Sequence, residues 1–568
     1  MKRYFLSRLL GLMWLLYTGT LVFHNNLFAA SKSEVPVKNL ILLVADGTSW
    51  STVSLARWYQ RYTDSEHVKL HIDPFICGSV ITFSSNAPTG DSAPTMSCYV
   101  TGVPSQSGFI STYPPADSIG DICTTDKKKS YYPSMTLMEA CRIVLNKSVG
   151  LVFTCEFPHA TPAACAAHCE NRKSYRKIAE QMVHNQIDVV MGGGNDYLTP
   201  SQEAFLKEQD YAVYRNNYKS LVQDTNSKIW ALFGSSDMSF DIDRDRNQEP
   251  SLEEMTRIAL QKLNRNENGF FLMVEGSKID HAAHHNDPIG MITDFLAFDK
   301  ACGAALDFAK DNGETAVIIV SDHGNSGISI GNATCQPYDK LNTHQLFHYL
   351  SLFKNTAKGI AEKINLAPEN LTDSILLHEA HLTLSEEERE ALYACKGYRY
   401  HHEDAVANAK EIQPKHSVSS NLSQWVAHLI NRRTCLGFTT DGHTAEEVFL
   451  AAYHPYNNVP MGVNTNRELH RYMASVLGFG NILPSLSEEY FAPHEEVFSF
   501  AEYRIVPSDN THSFPILIVD FNDRHLEIPA YSNQISLNDS VLKIPSVAVY
   551  SEPLNTFFLP RSLSKLLL

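Results

Sequence analysis

Positive charge is scarce in this sequence. Its 568 residues include 47 Lys and Arg against 63 Asp and Glu, which gives a net charge of −16 with neutral His. Proteins that bind the phosphate backbone of DNA or RNA are generally basic, so no nucleic-acid binding is expected. An anionic ligand would have to be captured locally, by metal ions or one placed Arg, because the overall field does not attract it.

Internal repeats, low-complexity tracts and Cys-x-x-Cys pairs are also missing. Nothing in the composition indicates a disordered or collagen-like chain. The 11 Cys are an odd number, so at least one is free or pairs between chains. We interpret the cysteines as structural, and the sequence leaves their pairing open.

Beyond the N-terminus, no apolar run is long enough to cross a bilayer. At the N-terminus, a basic start precedes an apolar run from Leu9 to Phe23. This layout is typical of a secretory signal, and the run is shorter than the roughly 20 residues of a spanning helix. Residues 1–30 are therefore predicted to be a signal peptide or, because Phe28 is large where cleavage favours a small residue, an uncleaved anchor. The protein is expected to be exported, to the periplasm or the extracellular space.

Short continuous apolar runs alternate with helical patterns between residues 37 and 479. Strands that are buried on both faces have this appearance, so the sequence predicts an α/β fold with a central, mostly parallel sheet and helices on both faces. A helical insertion at about 342–435 interrupts the core region of residues 36–490, and a small β-rich C-terminal extension follows at 491–568. The predicted strands lie at residues 40–45, 149–153, 187–191, 270–274, 316–320 and 448–453.

Potential metal ligands stand at the ends of several predicted strands. Asp46 follows the first strand, Glu275 ends the strand at 270–274, and Asp322-His323 follows the strand at 316–320. Ligands bind beyond the carboxyl ends of the strands in open α/β sheets. A turn or helix cap explains one such residue equally well. The coincidence at several strands favours a shared site.

Two further patterns lie on predicted helices. Asp280 and His284 are four residues apart, so a helix places both on one face, where an Asp/His pair can bind zinc. Ser92 follows Asp91 and opens a helical segment. A Ser at this position is usually only a cap, but a helix N-terminus also suits a phosphate group.

In order and spacing, these motifs resemble those of the alkaline phosphatase family. The resemblance extends over about residues 37–455. It implies hydrolysis of small phosphate monoesters at a site with two zinc ions and one magnesium ion, and it implies a homodimer. The matching motifs are Val44-Ala45-Asp46-Gly47, Gly90-Asp91-Ser92-Ala93, His159-Ala160-Thr161-Pro162, Asn171-Arg172-Lys173, Val274-Glu275-Gly276 with Asp280 and His284, Ser321-Asp322-His323 and Gly442-His443-Thr444.

The resemblance gives eight residues a metal-binding role, and none departs from the family in residue type. Zinc favours His nitrogen and carboxylate, whereas magnesium prefers oxygen ligands. The implied ligands of the first zinc, the second zinc and the magnesium are, respectively, Asp280, His284 and His443; Asp322 and His323, with Asp46 bridging towards the magnesium; and Asp46, Thr161 and Glu275.

The implied catalytic residues are Ser92 and Arg172. Ser92 would attack phosphorus and form a phosphoserine intermediate, since metal coordination can activate a hydroxyl. Arg172 would clamp the phosphoryl oxygens through two parallel hydrogen bonds, steadied by Asp91. His159 and His281 would lie behind the metal ligands, at positions where family members differ between His and Asp or Lys.

Two alternatives remain open at the level of sequence. One is another enzyme on the same fold, namely a phosphodiesterase, a sulfatase or a metal-dependent phosphomutase. Ser92 argues against a sulfatase, which would carry a modified Cys or Ser, and Arg172 with a complete magnesium triad favours monoesters. The other alternative is a phosphate- or metal-binding protein that has kept these residues and lost turnover.

Overall fold

The computed structural model describes residues 36–116, 122–395, 422–508 and 514–568. The predicted signal peptide or anchor at residues 1–30 lies outside these ranges. Among the described residues, no helix combines the length and the apolar character that crossing a membrane requires.

A ten-stranded sheet forms the centre of the fold. In chain order, the strands as far as the last one of this sheet are β1 (Asn39–Ala45), β2 (Ile76–Ile81), β3 (Ser148–Glu156), β4 (Val189–Gly193), β5 (Ala212–Arg215), β6 (Ile229–Phe233), β7 (Phe270–Gly276), β8 (Thr315–Ser321), the two-residue strands β9 (Gly324–Asn325), β10 (Ser329–Ile330), β11 (Leu436–Gly437) and β12 (His443–Thr444), then β13 (Val448–Tyr453) and β14 (Gly462–Thr465).

The strand order in the ten-stranded sheet is β14-β2-β13-β8-β1-β7-β3-β4-β6-β5. β13 runs antiparallel to both of its neighbours, and the other pairs are parallel. The predicted fold class is confirmed.

Helices cover both faces of the sheet. Successive side chains of a strand point to opposite faces, and in the central strands both sets are apolar, so both faces have to be buried. In β1, Leu40, Leu42 and Val44 belong to one buried apolar cluster. Ile41, Leu43 and Ala45 belong to another. The helices outside the insertion, up to the C-terminal extension, are Trp50–Thr63, Ser92–Thr101, Leu137–Ile143, Ala160–Ala166, Tyr175–His184, Pro200–Glu208, Tyr218–Val222, Leu252–Leu263, Lys278–His284, Pro288–Asn312, Asn466–Val476 and Leu483–Tyr490.

The region predicted as a helical insertion contains helices, and these pack in an apolar core that also includes residues of the sheet domain. That core includes Ile360 and Trp425, and it extends to Ala282 in the helix Lys278–His284. At its base, β10 pairs with β11, and a disulfide joins Cys335 to Cys435. The helices are Thr343–Phe347, Ala357–Leu366, Thr372–Ala380, Glu386–Cys395 and Leu422–Asn431.

The C-terminal region is rich in β-strands. Its elements are β15 (Ala492–Pro493), the helix His494–Val497, β16 (Glu502–Val506), β17 (Ile516–Phe521), β18 (Arg524–Pro529), β19 (Gln534–Leu537), β20 (Ser540–Lys543), β21 (Val549–Ser551) and β22 (Thr556–Leu559). β16 to β20 form an antiparallel five-stranded sheet, and β15, β22 and β21 form a three-stranded one. Val549 and Phe558 join the main core, and Lys177 Nζ lies 2.7 Å from Glu552 Oε1, so the region packs against the sheet domain.

Candidate active site

Three adjacent parallel strands bring the acidic residues at their ends together. The register places Ala45 of β1 beside Gly276 of β7 on one side and beside Ser321 of β8 on the other. Asp46, Glu275 and Asp322 therefore lie side by side at the same edge of the sheet, and all three are fully buried. Buried carboxylates this close together repel one another unless a cation or protons neutralise them.

His323 lies at the centre of one group of candidate metal ligands. Its Nε2 atom is 3.2 Å from Ser92 Oγ, 3.4 Å from Asp322 Oδ2 and 3.5 Å from Asp46 Oδ1. Its Nδ1 atom lies 3.1 Å from the carbonyl oxygen of Gly324. If Nδ1 donates to that carbonyl, the lone pair of Nε2 faces two carboxylates and a hydroxyl, which is the arrangement of a metal ligand.

A second group is formed by Asp280, His284 and His443. The Nε2 atoms of the two imidazoles are 3.2 Å apart, and His284 Nε2 lies 3.3 Å from Asp280 Oδ2. The Nδ1 atoms face the carbonyls of Asp441 and Gly90, at 2.7 Å and 2.9 Å respectively. Two imidazole nitrogens and a carboxylate that converge in this way form a set of ligands suited to zinc. Asp280 and His284 share one face of a helix, as their spacing predicts.

A third group consists of buried oxygens without hydrogen-bond donors. Thr161 is the second residue of the short helix Ala160–Ala166, and its Oγ1 atom has no hydrogen-bond partner among the described residues. The same holds for Glu275 Oε1 and for both carboxylate oxygens of Asp46. Unsatisfied buried oxygens are rare and costly, so this cluster fits a hard cation.

The carboxyl groups at the site differ in the direction in which their pKa is shifted. Burial, reinforced by the charge of Asp322, raises the pKa of Asp46 well above its ordinary value. The same two causes raise the pKa of Glu275 to about 8. Burial opposes ionisation of Asp280 as well, but hydrogen bonding to His284 and the nearby imidazole charges hold its pKa well below the usual value. Asp46 and Glu275 are thus the groups that most need a cation to ionise.

Ser92 and Arg172 face the metal-ligand groups from separate elements. Ser92 is the first residue of the helix Ser92–Thr101, with Asp91 at the N-cap position. Arg172 Nη1 forms an ion pair with Asp91 Oδ1, and Nη2 lies 3.0 Å from His159 Nε2. Although burial opposes it, the charge of Arg172 lowers the pKa of the Asp91 carboxyl. The guanidinium is therefore held in place from two sides.

An open cleft of about 560 Å³ leads to these residues. Its lining includes polar and charged groups from Asp91, Arg172, Lys173 and His443. A small anionic ligand could enter it and reach both the guanidinium and the imidazole of the second group.

Several side chains behind the site were not found from the sequence. Asp237 Oδ2 lies 3.2 Å from His281 Nδ1 and 2.5 Å from Lys278 Nζ. Asn325 Nδ2 donates to Asp280 Oδ1 at 2.7 Å. Asp237 lies four residues beyond the end of β6, a strand that the sequence analysis did not predict, and Asn325 carries no signal in the sequence either. Cys155, near Glu275, was also missed.

Gly47 allows Asp280 to approach the end of β1, and its replacement tests this packing. Its φ is +60°, and a Cβ atom there would lie 2.1 Å from Asp280 Oδ1. We expect Gly47→Ala to displace Asp280 and to weaken metal binding by about 10-fold or more. Gly313→Ala is the matched control, since Gly313 has a φ of +69° and no heavy atom within 4 Å of the added Cβ.

Metal titration of both variants, with thermal unfolding, checks the expectation. Gly313→Ala should cost about 1–2 kcal/mol for its backbone conformation alone and leave metal affinity unchanged. If Gly47→Ala bound metal as tightly as Gly313→Ala does, the contact with Asp280 would not matter for the site.

Fold and site together define a metal-dependent hydrolase of the α/β class. The model of the alkaline phosphatase family matches residues 37–479, which is most of the chain, and the chain therefore belongs to that family of phosphomonoesterases. Alkaline phosphatase 3 of Bacillus subtilis is 29% identical over 459 residues, covering 78% of this chain and 89% of the relative. Repressible alkaline phosphatase of Saccharomyces cerevisiae is 28% identical over 510 residues, covering 79% and 83%.

Solved structures show the same fold. The alkaline phosphatase of Thermus thermophilus gives a TM-score of 0.66 at 24% identity, covering 78% of this chain and 92% of that one. The cold-active enzyme of Shewanella sp. gives 0.64 at 24% identity, covering 77% and 99%.

Proposed function

We propose that this protein hydrolyses small phosphate monoesters through a phosphoserine intermediate on Ser92, at a site for two zinc ions and one magnesium ion. The observation that supports this most is the position of Ser92 Oγ, 3.2 Å from His323 Nε2 and at the N-terminus of a helix. A hydroxyl there meets a group of metal ligands and the helix end that favours a phosphate.

The donor types fit the proposed ions. Imidazole nitrogens converge with carboxylates in the first two groups, and orphaned buried oxygens make up the third. Zinc in these positions would supply a Lewis acid for the attacking and leaving oxygens. The proposed ligands are Asp280, His284 and His443 for the first zinc, Asp322, His323 and Asp46 for the second, and Asp46, Thr161 and Glu275 for magnesium.

The reaction on this chain has two displacements. Ser92 Oγ loses its proton and attacks phosphorus, the bond from phosphorus to the ester oxygen breaks, and the alcohol leaves with a proton. Water then attacks the phosphoserine, releases inorganic phosphate and restores the Ser92 hydroxyl. Both displacements take place at Ser92. The alcohol therefore has to leave through the cleft, and water has to enter through it, between the first displacement and the second.

Arg172 favours monoesters over diesters. Its guanidinium, held by Asp91 and near His159, presents N–H groups to the cleft. A monoester dianion offers two charged oxygens for parallel hydrogen bonds, whereas a diester has one charged oxygen fewer. Loss of one charge-assisted hydrogen bond costs about 1.5–3 kcal/mol, which corresponds to a preference of about 10- to 150-fold.

The preference is measured by comparing kcat/KM for a nitrophenyl monoester with that for the bis(nitrophenyl) diester, alongside metal analysis. We expect the monoester to be favoured by about 10-fold or more, and Arg172→Ala to narrow the ratio. Arg257→Ala is the control, since Arg257 is exposed, pairs with Glu253 in the helix Leu252–Leu263 and does not line the cleft. A diester preference, or a ratio that Arg172→Ala leaves unchanged, would contradict the proposal.

Export and dimerisation remain predictions. The first rests on the N-terminal sequence pattern of residues 1–30 and the second on the family resemblance alone.

A further inference from the structure

A cysteine side chain borders the third group of ligands. Cys155 is the penultimate residue of β3 and is fully buried. Its Sγ atom lies 3.5 Å from Glu275 Oε2. One atom each of Cys155, His159 and Glu275 lies within 4.8 Å of the other two, which is close enough to share one metal ion.

The surroundings of Cys155 direct it towards this position. Its backbone N–H donates to Ser277 Oγ at 3.1 Å, which ties the end of β3 to the residue that follows β7. Across the gap, Glu275 Oε1 and Thr161 Oγ1 are completely buried and accept or donate no hydrogen bond within the described part of the chain. His159 Nδ1 is likewise buried and without a partner there, and it carries the ring proton as long as Nε2 accepts from Arg172. The two unsatisfied oxygens are an observation separate from the cysteine, and they also indicate a cation.

Two different sets of ligands therefore share Glu275. The oxygens of Asp46, Thr161 and Glu275 suit magnesium, which needs an octahedron of oxygens and keeps several waters. Sulfur and nitrogen from Cys155 and His159, with one Glu275 oxygen, suit zinc or cobalt in a tetrahedral site. Glu275 belongs to both sets, and two divalent ions that draw on the same carboxylate repel each other, so we expect the two ions to compete.

We propose that the third ion position also takes a thiophilic divalent ion, bound by Cys155, His159 and Glu275, which competes with magnesium. This inference rests on the three-ion site proposed above and refines its metal specificity. On binding, the S–H bond of Cys155 breaks and its proton leaves to solvent. His159 gives up the hydrogen bond from Arg172 whichever ring nitrogen coordinates, because coordination through Nε2 uses the accepting lone pair and coordination through Nδ1 moves the ring proton to Nε2. Cys155 then acts as a specificity-determining residue, because a serine in its place would leave only one soft ligand, the imidazole.

Cobalt is the probe, since a Co(II)–thiolate bond gives a near-ultraviolet charge-transfer band that nitrogen and oxygen ligands do not give. The full chain is loaded with two equivalents of zinc and then titrated with Co(II). We expect the band to appear with the third equivalent in the wild-type protein and to be absent in Cys155→Ser. Cys302→Ser, which alters a buried free thiol in the helix Pro288–Asn312, should keep the band.

Competition provides a second readout. After dialysis against mixed zinc and magnesium, metal analysis should show the ratio of magnesium to zinc at the third position about 10-fold higher in Cys155→Ser than in the wild type. Cys155→Ala serves the same purpose if the serine variant does not fold. No thiolate band in the wild-type protein, or a band that survives in the Cys155 variants, overturns the inference.

The outcomes separate this inference from the proposed function. A protein that binds three ions and hydrolyses monoesters without a thiolate band contradicts only the role of Cys155. A protein that fails to bind the first two zinc ions, or that binds them and does not turn over monoesters, contradicts the proposed function itself.

Discussion

Ser92→Ala should lower kcat/KM for phosphate monoesters by about 10³-fold or more while the metal content stays the same. The substitution removes the one hydroxyl that lies 3.2 Å from His323 Nε2, and alanine cannot form a phosphate ester. The backbone of the helix Ser92–Thr101 should be retained, because the N-cap is Asp91 and the Ser92 hydroxyl lies beside the His323 side chain. Residual activity would come from direct attack by water.

Steady-state rates, metal analysis and acid-quenched trapping of labelled enzyme test this expectation together. The wild-type protein should retain covalent phosphate after the quench, and Ser92→Ala should retain none. Ser201→Ala, at an exposed position in the helix Pro200–Glu208, is the control and should behave like the wild type. Full turnover by Ser92→Ala with its metals bound would rule out the covalent step.

Removal of the metals should make the protein progressively less stable as pH rises from about 4.5 to about 8. Glu275 has an ordinary pKa of 4.5 that the folded protein raises to about 8. Between these values the folded chain holds a proton that the unfolded chain releases, so the free energy of unfolding falls by about 1.4 kcal/mol per pH unit for this group. Asp46, whose pKa is also raised by burial, acts in the same direction.

Bound cations should remove this dependence, because they stabilise the ionised carboxylates in place of protons. The measurement is calorimetric unfolding of chelator-treated and metal-loaded protein at about pH 5 and about pH 8. We expect the gap in Tm between the two forms to widen at the higher pH. Glu275→Gln should flatten the dependence in the metal-free form, since the amide carries no titrating proton. A metal-free protein as stable at the higher pH as at the lower one would contradict the buried like-charge cluster.

The sequence predicted the central strands well because they are continuous apolar runs. All six predicted strands are present in the sheet. β5 and β14 were missed because they are short and partly exposed, so that they show no buried run. β6 was missed although its five residues are fully buried, and its apolar pattern should have revealed it.

The site was predictable where neighbouring strands carry it. Asp46, Glu275 and Asp322 meet because parallel strands in register end together, a consequence of sheet geometry alone. Contacts such as that between Asn325 and Asp280 depend on where loops close in three dimensions, which local patterns do not encode. Cys155 escaped notice because a cysteine inside an apolar strand looks like a core residue.

The helical insertion begins and ends at one point of the fold. The Cα atoms of Cys335 and Cys435 are 5.4 Å apart, 100 residues from each other along the chain. Because both ends are anchored, each doubling of the chain length between them adds only about 0.6 kcal/mol to the free-energy cost of closing the loop. This segment can therefore grow, shrink or be exchanged for another module during evolution, while the catalytic framework stays as it is and a new surface is presented to the environment.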